Sequence, residues 1–287
     1  MNARANAAAA AGRLPARLRV LAAQVGYQLR LLTRSPRALI AGLVMPGVLL
    51  ALRLGRIHHA STGAAAMQLA AVEAGLVTFG LLGTAYVTHA SGLVSAREDG
   101  VLRRWRATPL PAGGYFLGRI TATVLLADAS AVVLVLTAVA MAGTHLTAGM
   151  MAALLVASTI GGLTLASVAT AVTIMIPTSQ AANPVLMLSY LPLIIFSGGF
   201  GSVAGLPSAL TTLMEYLPAR PLIDILTSAM RHGSLTTVAT GRDLAVLGGW
   251  AVAGLLASVR FFRWDPDRPG RRARRASPLP APGPAAG

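Results

Sequence analysis

Six long apolar runs set the pattern of this chain, at residues 38–54, 67–94, 115–141, 149–176, 184–200 and 244–262. A hydrocarbon core of roughly 30 Å takes about 20 apolar residues as helix, so each run reads as a membrane crossing. The first is short, and Arg53 has to snorkel from it towards the headgroups. Pro46 is expected to kink it, with neighbouring helices accommodating the break. The second, third and fourth runs are long enough to tilt or to project beyond the lipid.

The intervals between the runs have patterns of their own. Leu14, Leu18, Leu21, Val25, Leu29 and Leu32 recur at spacings of three and four, with Arg13, Arg17, Arg19, Arg30, Arg34 and Arg37 around them. That stripe predicts an amphipathic helix within residues 1–37, lying in the membrane interface, packed on protein, or both. No compact apolar core follows the opening charges early enough for a cleavable signal peptide. In the interval 95–114, Val101, Leu102 and Trp105 share a helical face while Arg103, Arg104 and Arg106 point elsewhere. Glu98 and Asp99 precede them, where acidic groups favour a helix N-terminus. Thr108-Pro109 ends the turn, because proline disfavours helix in the residue before it. Two readings follow: a short amphipathic helix along the membrane face, or a charged loop that fixes topology. Residues 201–243 hold two apolar pieces, 207–217 and 221–231, separated by Pro218 and Pro221. Each is about 16 Å long as helix, too short to cross, which predicts a broken outer hairpin before the last span.

Composition agrees with lipid as the solvent. Charged residues are 11% of the chain against 55% hydrophobic, whereas a soluble domain carries about 25% charged. All 24 basic residues are arginine, and nineteen of them lie before residue 38, between Arg97 and Arg119, or from Arg260 onward. The positive-inside rule then places those segments, and both termini, in the cytoplasm. The net charge of +15 is read as a topology signal rather than a sign of nucleic acid, which is not expected as a partner. The tail 263–287, rich in arginine, proline, glycine and alanine, is expected to be disordered and basic. Without lysine the chain cannot form a Walker A phosphate loop. Without cysteine it has neither disulfides nor a thiolate metal site. His58, His59, His145 and His232 are too sparse for a metal site, and none is expected.

Few polar residues interrupt the runs. Asp128 sits near the middle of the third, where a charged aspartate costs about 2.5–3.5 kcal/mol on insertion scales. It is a candidate for a substrate path; the favoured alternative is a hydrogen-bonded carboxyl that holds helices together. Glu73 is expected near the outer headgroups and His89 as a packed, neutral histidine. The small residues of the fourth run (GGLTLASVATAVT) suit close helix packing, within one subunit or between two.

The segment Arg97-Glu98-Asp99-Gly100, continuing through VLRRWRATPLP, resembles the coupling helix of permeases of the type-2 ATP-binding-cassette (ABC) exporters. SGGF at Ser197, Gly198, Gly199 and Phe200 and the later YLPARPLIDIL, with Pro218, Pro221 and Asp224, add to the likeness. It is nearest to the daunorubicin-type drug-resistance branch and extends from the N-terminal helix to Phe262. The resemblance implies an all-α polytopic membrane protein with six transmembrane helices. An N-terminal interfacial amphipathic helix (1–37), a cytoplasmic coupling helix and a broken outer re-entrant hairpin accompany them, in a permease domain over 38–262. It further implies a half-transporter that pairs with a second permease, identical or related, in the plasma membrane. Arg97, Glu98, Asp99, Gly100, Leu102, Arg103, Trp105, Thr108 and Pro109 would face a separate ABC ATPase. ATP and Mg would be bound by that partner, with no cofactor in this chain. The implied cargo is a hydrophobic or amphipathic drug, antibiotic or lipid-like molecule. An ion-coupled secondary transporter would need more than one deep acid and usually internal repeats. A membrane-embedded enzyme would need a convergent catalytic group, and no such group emerges from the sequence.

Overall fold

The computed structural model describes residues 16–34, 40–57, 63–107, 112–142, 145–197, 207–235 and 238–261. Among these residues helices are the regular structure and no strand occurs. In chain order, α1 is Ala16–Thr33, and α2 is Met45–Ile57, preceded by a π-helical turn Ile40–Val44. Helix α3 (Gly63–Leu81) passes through a π-helical stretch, Leu82–Thr88, into α4 (His89–Glu98), and the short α5 (Val101–Arg106) follows. Then come α6 (Ala112–Ala142), α7 (Ala148–Val172, ending in a 3-10 turn Thr173–Met175) and α8 (Ser179–Ile195). Finally α9 (Ser208–Tyr216) and α10 (Ala219–His232) precede α11 (Val238–Phe261).

Among the described residues, four helices are long and apolar enough to cross a bilayer: Ala70–Glu98, Gly114–Met141, Ala148–Met175 and Gly241–Phe261. Gly42–Leu52 and Ser179–Ile195 are shorter apolar helices. The expected fifth run therefore begins earlier in the chain than its apolar pattern suggests. Thr178 is the N-cap of α8, its hydroxyl accepting from the Ala181 amide, and Pro184 lies inside the helix. Ser179 and Gln180 make this first turn polar, so the apolar run starts after the helix does.

Helix α7 is the centre of the bundle and packs against α6, α10 and α11. Its small residues serve those contacts inside one subunit. The Cβ of a side chain at Gly161 would collide with Leu222 of α10. At Gly254 of α11, a Cβ would stand 2.7 Å from the Ser167 carbonyl carbon of α7, so only glycine permits this approach. The main core runs through α3, α4, α6, α7, α8 and α10, including Leu82, Tyr86, Leu154, Leu165, Leu186 and Leu222.

The N-terminal stripe is used on protein. Val25, Leu29 and Leu32 pack with Ala122 and Leu126 of α6, and Gln24 and Gln28 are buried on the same helix. Leu50 of α2 packs further along α6, at Ala138, with Leu76 of α3. The segments α1 and α2 thus follow α6 in ascending order. Leu18, although on the stripe, is exposed near the start of α1, and Tyr27 and Leu31 are exposed on its other side. Glu73 of α3 is buried against protein.

Candidate functional site

Helix α5 is six residues long, too short to be stable alone, so its position depends on what it packs against. Gly100 separates it from α4 with φ +68°, a left-handed conformation that reverses the chain direction at little cost only for glycine. Leu102 is fully buried with Leu93 of α4 and Tyr115 of α6, and Trp105 and Phe116 border this cluster. The Trp105 and Tyr115 rings lie 5.6 Å apart between centroids. Val101, expected on the same buried face, is exposed instead. On so short a helix Leu102 centres the contact, and Val101 is one residue, about 100°, away from it. Arg103 and Arg104 are exposed, and Arg104 donates to the Asp99 carbonyl at 3.1 Å. Thr108 and Pro109 lie outside the described residues.

Arg97 turns back into the bundle, whereas Glu98 stays exposed and reaches across to α8. Arg97 is buried, and its guanidinium donates to the backbone carbonyls of Thr173 (3.3 Å), Ile176 and Pro177 (3.5 Å) where α7 ends. The Glu98 carboxylate accepts from the Ser179 amide at 2.8 Å, at the first turn of α8. The acid expected to favour the start of α5 therefore caps α8. The sequence could not show this, because the pairing joins residues 81 positions apart.

Beneath α5 a polar path enters the bundle. Arg119 donates to the Tyr115 hydroxyl and to the His89 carbonyl, both at 3.4 Å. His89 is fully buried, with Nδ1 3.1 Å from the Thr123 hydroxyl and Nε2 3.0 Å from that of Thr170. It joins α4, α6 and α7 as the packed histidine anticipated. Sequence reading missed Arg119 and Thr170 as its neighbours; their shared depth depends on helix register.

Asp128 is separate from this end. Its two oxygens accept from Ser158 (2.6 Å) and Thr159 (2.8 Å) of α7, a hydrogen-bonded contact between α6 and α7. Asparagine keeps an acceptor at this position, so Asp128→Asn is expected to change unfolding stability by under about 1 kcal/mol. Equal transport of cationic and neutral substrates by that variant is expected. A selective loss of cationic cargo would instead place Asp128 on the substrate path.

At the opposite end of the bundle the expected hairpin pieces are helices α9 and α10, joined through Leu217 and Pro218. Pro218 is the N-cap of α10, and Pro221 falls in its first turn, where no amide donor is required. Arg220 donates to Asp224 at 3.0 Å, and Arg242 of α11 to Glu215 of α9 at 2.6 Å. These groups, with Thr211, Met214 and Asp243, line a cavity of about 290 Å³. Burial raises the Asp224 carboxyl above its ordinary value, with Arg220 opposing that shift. Trp250 of α11 donates to the Tyr216 carbonyl at 2.7 Å, fastening the end of α9. Ser197 is buried at the end of α8, its hydroxyl donating to the Ile194 carbonyl, while Gly198, Gly199 and Phe200 lie outside the described residues. The candidate residues thus form separate groups at the two ends and the middle of the bundle. Among the described residues no cluster of histidine and carboxylate side chains could hold a metal ion.

Comparison with curated proteins finds no match. A family model described as ABC-2 type transporter matches residues 21–230, from within α1 to within α10. Since that is well over half of the chain, the protein belongs to the ABC-2 type transporter family, the multi-pass membrane permeases of ABC transporters.

Proposed function

We propose that this permease is a half-transporter, driven by a separate ABC ATPase that docks on the exposed side of α5. The observation that carries this reading is a six-residue helix anchored by Leu102 and Trp105 that leaves Arg103 and Arg104 facing outward. A helix built this way is a rigid, charged contact at the end of a bundle, suited to receive a moving partner. ATP and Mg belong to that partner, and a second permease copy or a paralogue completes the transporter. The exposed apolar side of α8, with Leu188 and Ile195, is open to such a copy or to lipid.

In this reading α2 and α8 supply the remaining two of six crossings in the plasma membrane, with both termini and α5 in the cytoplasm. The α9–α10 hairpin then faces outward, and transport runs as export. The cargo is a hydrophobic or amphipathic molecule of drug, antibiotic or lipid-like character, in keeping with the resemblance to the daunorubicin-type branch. Co-purification tests the partner: an ABC ATPase is expected to accompany the tagged permease from its native membrane. Liposomes holding both proteins are expected to move a hydrophobic dye only with ATP and Mg. Transport that persists in liposomes lacking any ATPase would overturn the assignment in favour of an ion-coupled carrier.

A further inference from the structure

Arg97 and Glu98 are neighbours in sequence and reach two different helix ends. One covers the carbonyls at the end of α7, and the other caps the first amide of α8, that of Ser179. Each charge also complements the helix dipole it meets, a cation at a C-terminus and an anion at an N-terminus. The same two residues end α4, with only Asp99 between them and the Gly100 turn into α5. Further along α8, the Tyr86 hydroxyl of the π-helical stretch donates to Ser189 at 2.7 Å, so α8 is held to the α3–α4 rod at two levels.

We propose that Arg97 and Glu98 form a clamp that carries movement of α5 to the α7–α8 junction, as positioning residues rather than contacts of the ATPase. This rests on the docking reading above and revises the role that the sequence resemblance gives these two side chains. Arg97 is buried, and Glu98, although as exposed as Arg103 and Arg104, has its carboxylate committed to the Ser179 amide. A push on α5 moves the end of α4, and the clamp obliges the end of α7 and the start of α8 to follow. Without it, α5 would be free to shift while α8 stayed behind.

The test uses the full-length permease in liposomes, with and without its ATPase, and a chain free of native cysteine makes labelling clean. Spin labels at Arg103→Cys and Gln180→Cys report the α5–α8 distance. A narrow distribution is expected in the parent and a broader one in Glu98→Ala and in Arg97→Met. With the ATPase present, Glu98→Ala is expected to lower transport-coupled ATP hydrolysis about tenfold while the ATPase still co-purifies. Glu98→Gln keeps the reach and an acceptor oxygen, so it is expected to restore most coupling. Glu98→Asp keeps the charge but falls short of Ser179, so it is expected to behave like Glu98→Ala. An unchanged distance distribution in Glu98→Ala would overturn the clamp. So would loss of the ATPase from that variant, or rescue by aspartate but not glutamine, since both indicate a direct ionic contact. A parent that binds no ATPase would sink the docking reading, while the distance distributions would still decide whether the clamp holds α5 to α8.

Discussion

Gly254→Leu is expected to unseat α11 from α7 and to cause a large loss of stability. A Cβ at this position would press into one peptide group of α7, with the Ser167 carbonyl carbon at 2.7 Å and both the Ser167 oxygen and the Val168 nitrogen at 2.8 Å. Backbone inside a helix cannot step aside as a side chain does, so the two helices must separate. Overpacking a core costs about 1–3 kcal/mol where side chains give way, and this site belongs at or above the top of that range. Separation also forfeits the close van der Waals contact that holds helices together in lipid, where apolar burial gives little drive. Gly249→Leu is the control, because a Cβ there meets no atom within 4 Å. Thermal unfolding in detergent is expected to show a large loss of stability for Gly254→Leu and little change for Gly249→Leu. Equal stability of the two variants would mean that the α7–α11 seam is not as close as described.

Trp105→Ala is expected to have the largest effect on coupling. The six residues of α5 cannot hold a helix by themselves, so Leu102 and Trp105 keep it seated against α4 and α6. Removing a fully buried tryptophan costs about 3–5 kcal/mol, and a half-buried one on the order of 2 kcal/mol. That is roughly a 30-fold shift towards an unseated α5. Transport-coupled ATP hydrolysis is expected to fall at least tenfold, with membrane insertion unchanged. Trp105→Phe retains a ring against Tyr115 and is expected to keep most coupling. Full coupling in Trp105→Ala would remove α5 from the transmission route. Tyr115→Ala offers an independent check, since it deletes the other ring of the pair from α6.

The two substitutions separate what the chain writes locally from what it leaves to packing. Lipid-crossing helices follow from length and apolar content, so α6, α7 and α11 were legible as runs of the sequence. The two short helices α9 and α10 were legible from two short apolar pieces and two prolines, because proline limits where a helix can continue. For residues 95–114 the sequence left a short helix and a charged loop as alternatives, and the structure shows the helix, Val101–Arg106. The absence of a lysine phosphate loop is a matter of composition alone. Other features needed the tertiary structure. Glu98 lies 81 residues from Ser179, and Arg97 lies 76 residues from Thr173. No periodicity within α4 indicates which helix ends will stand beside them. The start of α8 was obscured for a related reason: its first turn is polar where it meets Glu98, so the apolar run begins later than the helix. The stripe on α1 showed a helix with one apolar side, but only its register against α6 showed that protein covers Val25, Leu29 and Leu32. Sequence alone determined which segments are helices and that they suit lipid, because those properties depend on neighbours along the chain. The tertiary structure decided which charges turn inward and which helices they join, because hydrogen bonds depend on distance in space.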